Sequence, residues 1–294
     1  MTFRIWLLAA VLVLVTTQPT LAADPAGVAP RYTSRSLSKI PNAQAVTRRI
    51  WSPGIDVGYV PQGVSFIGGA VYVSAFWSVH RKVSKGPCRI YRIDPKSGRV
   101  TGKLKLPRSC THAGGLAKGA PGILFLSDTH KLFKIALAGR NDPKLGKVVQ
   151  IVRLRDGVKG SFAAGLAGWI FLGSYQKKRR GRIHVFGTAK LPRSLQSSDV
   201  LRYLSIAPRS QGAAFDRAGY LWITQSSSKF GRLQRIDPKS GAVLKRYRMP
   251  VGIEDISFDA HGQLWAVSEA GTRRWRHWAT FYPVVFRLDP AKLR

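Results

Sequence analysis

The sequence predicts an all-β fold, a β-propeller of five four-stranded blades that is closed by an N-terminal strand. Three observations predict it. A strand pattern recurs with a period of about 40 to 50 residues, which is typical of propeller blades. The 29 Gly and 17 Pro suit many short strands joined by turns. One heptapeptide, RIDPKSG, occurs identically at 92–98 and at 235–241.

Five segments open the repeating units and are predicted to form the inner strands around the axis. They read QGVSF from Gln62, HAGGL from His112, FAAGL from Phe162, QGAAF from Gln211 and EDISF from Glu254. Each is followed by a second strand such as AVYVS or YLWIT, and then by a third strand such as CRIYRIDP or GRLQRIDP. Apolar and polar residues alternate within these third segments, which favours strands over helices.

The repeated heptapeptide is predicted to be a turn between the third and fourth strands of a blade. In DPKSG, Asp and Ser can accept hydrogen bonds from nearby backbone N–H groups, and Pro presets φ. Gly takes the positive φ that closes a tight hairpin. The copied segment therefore has a structural role.

The two ends of the chain are predicted to meet in one blade. The fifth unit ends at FRLDPAKLR without a fourth strand, while AVTRRIWSPG before the first unit resembles the other fourth strands. Residues 43–51 should complete the last blade and protect its edge. The propeller is then a single domain over 43–294, after an N-terminal tail over 24–42. Six blades are the alternative, if the segment before residue 43 contributes more than a tail.

Residues 1–23 have the features of a secretory signal peptide. Arg4 precedes an apolar run, Ile5 to Val15, and small residues stand before Asp24. The run is shorter than the roughly 20 apolar residues that a membrane span needs. We therefore expect an exported chain, periplasmic or secreted, with no transmembrane segment after cleavage.

The charge of the chain is strongly positive. Lys and Arg number 48 against 14 Asp and Glu, a formal net charge of +34. Such a balance predicts attraction to anionic partners: an anionic small molecule, a glycan or a polyanion of the cell envelope. No pattern indicates sequence-specific nucleic-acid recognition, and we expect a monomer.

The two cysteines, Cys88 and Cys110, are predicted to form a disulfide. Cys88 begins the third strand of the first blade, and Cys110 lies just beyond the fourth. The start of one strand faces the end of the next in an antiparallel hairpin, so the two sulfurs should meet. Disulfides persist in oxidising compartments, in agreement with export.

The first residues of the inner strands are candidates for function because they differ within a repeating frame. They form a predicted axial ring of Gln62, His112, Phe162, Gln211 and Glu254. The chain has only two glutamates, Glu254 and Glu269, and both should lie on the same face. We consider Glu254, Glu269 and His112 as candidate catalytic acids and bases. A divalent cation, Ca²⁺ or Mg²⁺, shared by the two glutamates is an open alternative, and no cofactor is otherwise indicated.

Three loops after second strands interleave basic and aromatic residues. They read AFWSVHRKVSKGP, SYQKKRRG and EAGTRRWRHWATFY. Trp77, Tyr175, Arg274 and Trp275 are the candidate ligand-binding residues in them, together with Gln62, Phe162 and Gln211 of the ring. Such loops offer charge for anions and flat faces for sugars or bases.

Segments such as DRAGYLWITQSSSKFGRLQRIDPKSGAVLKRYRMP and DAHGQLWAVSEAG resemble blades of the virginiamycin B lyase group and, more broadly, of gluconolactonase-type propellers. The likeness covers most of the chain after residue 23 but concerns the scaffold. In that lyase family a catalytic His follows a metal-binding Glu by two residues; Glu269 matches the Glu, whereas position 271 is Gly271. PQGVSF also resembles a segment of five-bladed glutaminyl cyclotransferases.

Two functions from different classes follow from these patterns. The favoured one is an exported binding protein whose basic-aromatic face holds an anionic or sugar-like ligand or an envelope partner. The alternative is a lyase or lactonase-like hydrolase with an axial Glu/His site, with or without a divalent ion. No P-loop, G-x-S-x-G, H-E-x-x-H or EF-hand pattern is present.

Overall fold

A computed structural model describes residues 24–83 and 85–294 of the chain. The predicted signal peptide at 1–23 lies outside the described residues. In the described part of the chain, regular structure consists of strands and short 3₁₀ helices, and no helix is long and apolar enough to cross a membrane.

The strands follow the predicted units closely. In chain order they are β1 (Val46–Trp51), β2 (Tyr59–Ile67), β3 (Ala70–Trp77), β4 (Cys88–Ile93), β5 (Val100–Lys105), β6 (Gly115–Lys118), β7 (Ile123–Asp128), β8 (Lys131–Leu137), β9 (Gly146–Leu154), β10 (Phe162–Leu166), β11 (Trp169–Gly173), β12 (Gly181–Gly187), β13 (Ser194–Leu195), β14 (Arg202–Ile206), β15 (Ser210–Phe215), β16 (Leu221–Ser226), β17 (Gly231–Ile236), β18 (Val243–Met249), β19 (Ile253–Phe258), β20 (Leu264–Ser268) and β21 (Val284–Leu288). The 3₁₀ helices are Ala43–Ala45, Ile55–Val57, Ser197–Asp199, Arg273–Trp275 and Pro290–Lys292.

These strands form five blades in a ring, so the five-bladed prediction is confirmed. Blade 1 is β2–β5, blade 2 is β6–β9, blade 3 is β10, β11, β12 and β14, and blade 4 is β15–β18. The two-residue β13 adds to the outer edge of blade 2, in parallel with β9. Apolar clusters fill the spaces between neighbouring blades, and each cluster takes side chains from two of them.

Blade 5 joins the two ends of the chain as predicted. Its order is β19, β20, β21 and then β1, which pairs antiparallel with β21 from Val46 opposite Leu288 to Trp51 opposite Val284. The segment before residue 43 adds no blade; an isolated parallel bridge between Ala26 and Ile50 pairs it with β1.

The copied heptapeptide forms the predicted hairpin turn in both places. The carboxylate of Asp94 accepts hydrogen bonds from the Lys96 and Ser97 N–H groups, and Gly98 has a φ of 72°. In the second copy Asp237 accepts from the Lys239 N–H and the Ser240 hydroxyl, and Gly241 has a φ of 75°. The two copies are therefore identical because the same hairpin turn requires the same residues.

Inner strands of neighbouring blades approach so closely that only glycine fits at several of the contacts, among them those of Gly212 and Gly63. A Cβ on Gly212 would lie 2.4 Å from the Cα of Asp255, and a Cβ on Gly63 would lie 2.8 Å from the backbone N of Leu116. Because five blades enclose a narrow axis, the second residue of QGVSF and of QGAAF must be glycine, since no Cβ fits there.

Asp255 occupies the matching position in blade 5 and ties the inner strands together. It is fully buried, and its Oδ2 accepts hydrogen bonds from the N–H groups of Val64 in blade 1 (3.1 Å) and Leu116 in blade 2 (3.0 Å). Burial raises its pKa well above the ordinary value, opposed by these donors and by the N–H groups of Ile256 and Ala213. One carboxyl group thus contacts the inner strands of four blades.

The predicted disulfide is confirmed. Cys88 and Cys110 are bonded with a Cα–Cα distance of 5.8 Å and a sequence separation of 22 residues, and no cysteine is free. It links the start of β4 to the segment that leads from β5 into blade 2.

Replacing Gly212 with Ala should lower the free energy of unfolding by about 3 kcal/mol, because the added Cβ overlaps the Asp255 backbone. Gly139→Ala is the matched control: its φ is not positive and a Cβ there meets nothing within 4 Å. Urea denaturation of both variants measures the effect. A Gly212→Ala protein as stable as the control would contradict the close contact.

Removing the disulfide with Cys88→Ser and Cys110→Ser should lower the free energy of unfolding by about 3 kcal/mol, the value expected for closing a loop of this length. Thermal denaturation with and without a reductant checks it. The reductant should destabilise the wild type to the level of the double variant and should leave that variant unchanged.

Candidate functional site

The register of the five inner strands decides which side chains face the entrance of the axis. Equivalent positions are found by their partners on the second strands, and these positions are Val64, Leu116, Ala163, Ala213 and Ile256. The residues two places earlier form the ring at the entrance: Gln62, Gly114, Ser161, Gln211 and Glu254.

This ring differs from the predicted one in blades 2 and 3. Phe162 follows the ring residue Ser161 by one place, and its side chain turns to the other face of the strand, where it is fully buried against Gly173. A one-residue offset moves a strand side chain to the opposite face. The even spacing of the motifs suggested that each motif begins at the same position of its inner strand. The loops before these strands differ in length, so this position differs between blades.

Trp77 also lies away from the entrance. It ends β3, and its indole N–H donates to the Val57 carbonyl at 2.8 Å in the turn before β2. Phe162 and Trp77 therefore gain no support as ligand-binding residues from the shape of the entrance.

A cavity of about 660 Å³ opens at the entrance of the axis. The other eight predicted catalytic and ligand-binding residues line it, together with residues of blades 2 and 3. The lining consists of Gln62, Lys85, Thr111, His112, Gly114, Asp128, Thr129, His130, Lys131, Lys159, Ser161, Tyr175, Gln211, Glu254, Glu269, Arg274 and Trp275. We call it the axial cavity.

The two glutamates meet at the floor of the axial cavity. The charge of Glu269 and a hydrogen bond with it both raise the pKa of Glu254, so the two carboxyl groups are close neighbours. Gln211 Nε2 donates to Glu254 Oε1 at 3.2 Å, and Gln62 Nε2 donates to Glu269 Oε2 at 3.1 Å. Glu254 is 3% exposed and Glu269 is 7% exposed, so the pair is buried yet borders the cavity.

The two glutamates differ in their surroundings. Burial and the neighbouring charge of Glu269 raise the pKa of Glu254 well above its ordinary value. Burial also raises the pKa of Glu269, but contacts with Trp275 and Gln62 and the positive charge of Arg274 oppose that rise. The surroundings therefore favour a proton on Glu254 over a proton on Glu269.

One wall comes from the segment entering blade 2. The carboxylate of Asp128, at the end of β7, accepts hydrogen bonds from the N–H groups of His112 (2.7 Å), Thr111 (3.0 Å) and Ala113 (3.2 Å). These bonds hold the segment in place. The His112 ring lies 4.5 Å from the Phe76 ring, centroid to centroid.

The other walls come from the loops that follow second strands. The Tyr175 N–H donates to Ser161 Oγ at 3.0 Å, and burial raises the pKa of its phenol, as do the charges of both glutamates. Arg274 donates to Ser78 Oγ at 2.6 Å and lies 4.7 Å from the centre of the Trp275 ring. The loops that follow the second strands of blades 1, 3 and 5 therefore meet around one cavity.

The walls of the axial cavity are positively charged although its floor is acidic. Four basic side chains line it: Lys85, Lys131, Lys159 and Arg274. Within the described chain, Lys85 and Lys159 make no hydrogen bond or ion pair, while Lys131 donates to the Ser109 carbonyl at 2.8 Å. Two cations are thus available to a ligand.

The donor set does not suit the divalent cation considered from the sequence. Ca²⁺ binds about six to eight oxygen atoms. The floor offers two carboxyl groups, and the side-chain amides of Gln62 and Gln211 face them with their N–H groups. In the described parts of the chain, no group of three or more His, Cys, Asp and Glu side chains is arranged to hold a metal.

The sequence did not predict four residues of the site: the ring residues Gly114 and Ser161, and the basic residues Lys131 and Lys159. The two lysines lie in short turns beside the entrance, in SDTHK and RDGVKGS, and their sequence signal is only their position next to inner strands. Ser161 could have been found by aligning second strands rather than inner ones.

Comparison with known proteins supports the scaffold. No family model matches the chain, and no curated protein matches it. Among solved structures, a glutaminyl cyclase from Myxococcus xanthus is similar with a TM-score of 0.57 and 12% identity, over 83% of this chain and 94% of that one. A PQQ-bound aldose sugar dehydrogenase from Streptomyces coelicolor has a TM-score of 0.52 and 14% identity, over 85% and 98%.

These likenesses show the fold alone. The scaffold-level resemblance to propeller enzymes is confirmed by them and by the five blades. At this identity neither similar structure decides what the axial cavity binds or transforms.

The glutamate pair should make stability depend on pH. Both pKa values are raised, so the folded protein keeps a proton that the unfolded chain releases above about pH 4.3. The free energy of unfolding should therefore fall as pH rises from there toward the raised pKa. Glu254→Gln should flatten this fall, measured by thermal denaturation between about pH 5 and 9. Parallel curves for variant and wild type would contradict the raised pKa.

Proposed function

We propose that the axial cavity is the catalytic site of an exported enzyme that acts on a carbonyl group of a small anionic substrate. The hydrogen-bonded Glu254–Glu269 pair at its floor carries this proposal. Perturbed carboxyl groups that border a cavity are the usual mark of acid–base chemistry.

The acidic floor favours catalysis over the binding function preferred from the sequence. A site that only binds an anion would gain nothing from two buried carboxyl groups beneath its cations, because burying them costs free energy. The pair contains both glutamates of the chain, and two glutamine amides orient it. A substrate with its anionic end at Lys85 and Lys159 would place a polar group over the pair.

Each member of the pair has a separate role. Ionised Glu269 accepts a proton from the nucleophile, a water molecule or an amine of the substrate itself, as it attacks the carbonyl carbon. Protonated Glu254 donates its proton to the departing oxygen or nitrogen while the bond from that atom to carbon breaks. One proton is taken up and one is released, and transfer across their shared hydrogen bond restores the pair.

The close contact of the two carboxyls selects the reaction class. Glycosidases keep their carboxyl groups about 5 Å or more apart, whereas pairs in direct contact share one proton, as in aspartic proteases. Hydrolysis or acyl transfer at an amide, ester or lactone therefore fits better. Cyclisation of a glutaminyl residue, the reaction named for one similar structure, belongs to the acyl-transfer class.

Other lining residues would position the substrate. Tyr175 and His112 line the same cavity from neighbouring blades and can hydrogen-bond a carbonyl oxygen. Arg274 holds Glu269 in the ionised form through its charge. Export through the segment at 1–23 agrees with the Cys88–Cys110 disulfide, which is typical of oxidising compartments.

Turnover should depend on the glutamate pair. Suitable substrates are a peptide with N-terminal glutamine followed by acidic residues, an aryl ester bearing a carboxylate, and a phosphorylated sugar lactone. Glu269→Gln and Glu254→Gln should each lower kcat about 10²- to 10⁴-fold on the substrate that is turned over, the usual contribution of one acid or base. Asp289→Asn, the same chemical change in the C-terminal 3₁₀ helix, is the control and should leave kcat unchanged.

The pH profile separates catalysis from a structural effect. Wild-type kcat/KM should be bell-shaped, because one glutamate must be ionised and the other protonated. Glu254→Gln should remove the alkaline limb from the residual activity. Unchanged kcat in both glutamate variants would exclude the pair from catalysis and leave the binding function.

A further inference from the structure

A second cavity, of about 610 Å³, lies beside the axial cavity where the N-terminal tail crosses blade 5. We call it the seam cavity. It is lined by Tyr32, Thr33, Arg35, Val79, His80, Gly271, Arg273, Arg276, His277 and Phe281.

The tail is fastened across this cavity by several hydrogen bonds. The Tyr32 hydroxyl donates to the Gly271 carbonyl at 2.8 Å, and Arg35 donates to the carbonyls of Arg276 (3.2 Å) and Trp278 (3.1 Å). The Phe281 N–H donates to the Ser38 hydroxyl at 2.8 Å. The cavity is therefore formed by the folded tail and needs no ligand to assemble it.

The seam cavity is basic. Three arginines and two histidines line it, and no Asp or Glu does. The nearest carboxylate, Asp56, lies outside the lining and pairs with Arg31 at 3.2 Å. Arg276 is exposed, and in the described chain its guanidinium has no hydrogen bond or ion pair. Guanidinium groups bind oxyanions in a bidentate way, so one group here is free for an anion.

The two cavities share one ridge. Arg273 lines the seam cavity and the next residue, Arg274, lines the axial cavity. The loop between β3 and β4 does the same, with His80 on the seam side and Lys85 on the axial side. One extended molecule could therefore lie over the ridge with an anionic group in each cavity.

We propose that the seam cavity is a subsite for an anionic oligosaccharide whose other end occupies the axial cavity. The second half rests on the proposed function, whereas the binding of an anionic sugar at the seam stands on the geometry of that cavity. The substrate class is then an acidic glycan that carries an ester, amide or lactone group, rather than a lone small anion.

The lining distinguishes an acidic glycan from other polyanions. Thr33 and Val79 would contact the hydroxyl and C–H groups of a sugar, and a bare polyphosphate would not use them. Nucleic-acid binding favours open aromatic faces for base stacking. Here Arg273 covers one face of the Tyr32 ring at 4.9 Å. The Phe281 ring is fully buried, with Arg35 over it at 5.2 Å.

Binding of heparin-derived oligosaccharides by the full chain tests the proposal. An octasaccharide can reach both cavities and a disaccharide cannot. Arg276→Ala should weaken octasaccharide binding about tenfold in a calorimetric titration, the loss expected for one charge-assisted contact. Lys159→Ala in the axial cavity should weaken it by a similar factor. Arg246→Ala, on the exposed outer strand of blade 4, controls for the loss of one positive charge.

Each outcome of these titrations supports or overturns the proposed subsite. The glycan subsite would be overturned if Arg276→Ala and Arg246→Ala bound the octasaccharide with equal affinity. It would also be overturned if Arg276→Ala weakened the binding of tripolyphosphate or single-stranded DNA more than that of the octasaccharide. If Arg276→Ala weakened octasaccharide binding and Lys159→Ala did not, the proposal that one oligosaccharide occupies both cavities would be overturned. Arg276→Gln replaces Arg276→Ala if thermal denaturation shows that the latter is unfolded. These are binding measurements, so they stand even if the glutamate variants show that the pair has no catalytic role.

Discussion

The contact of five inner strands around one narrow axis is the constraint on which the rest of the structure depends. Gly212 and Gly63 allow the backbones to approach, and Asp255 supplies the hydrogen-bond acceptor that the exposed N–H groups of Val64 and Leu116 need. An unpaired buried N–H is costly, so a carboxyl group at this position stabilises several blades at once. β1 then covers the edge of β21 and completes blade 5.

The same narrowness confines chemistry to one end of the axis. Beyond Asp255 the inner strands leave a space of about 40 Å³, and Lys118 donates to the Phe258 carbonyl beside it. The axial cavity is thus a pocket closed at its floor. Glu254 and Glu269 stand at that floor because blade 5 alone has acidic residues at the start of its inner strand and after its second strand.

Two opposing electrostatic features meet in this pocket. The chain is strongly basic, and lysines and an arginine line the walls, yet the floor is acidic. Burial raises the pKa of both glutamates, which favours a proton on the pair and weakens its repulsion of an anion held by the walls. The seam cavity extends the basic surface without acids in its lining, and its fastened tail makes it a rigid neighbour of the axial pocket.

Local patterns in the sequence determined the blade count, the hairpin turns, the closing strand, the disulfide and the placing of both glutamates on one face. Each depends on spacing along the chain or on residues a few places apart. The tertiary structure decided the register in blade 3, which buries Phe162 and presents Ser161. It also decided the contacts of Gln62 with Glu269 and of the tail with blade 5. A repeat period does not reveal which face a side chain takes, because one residue more or less in a loop reverses it. Contacts across 207 residues form only when the ring closes.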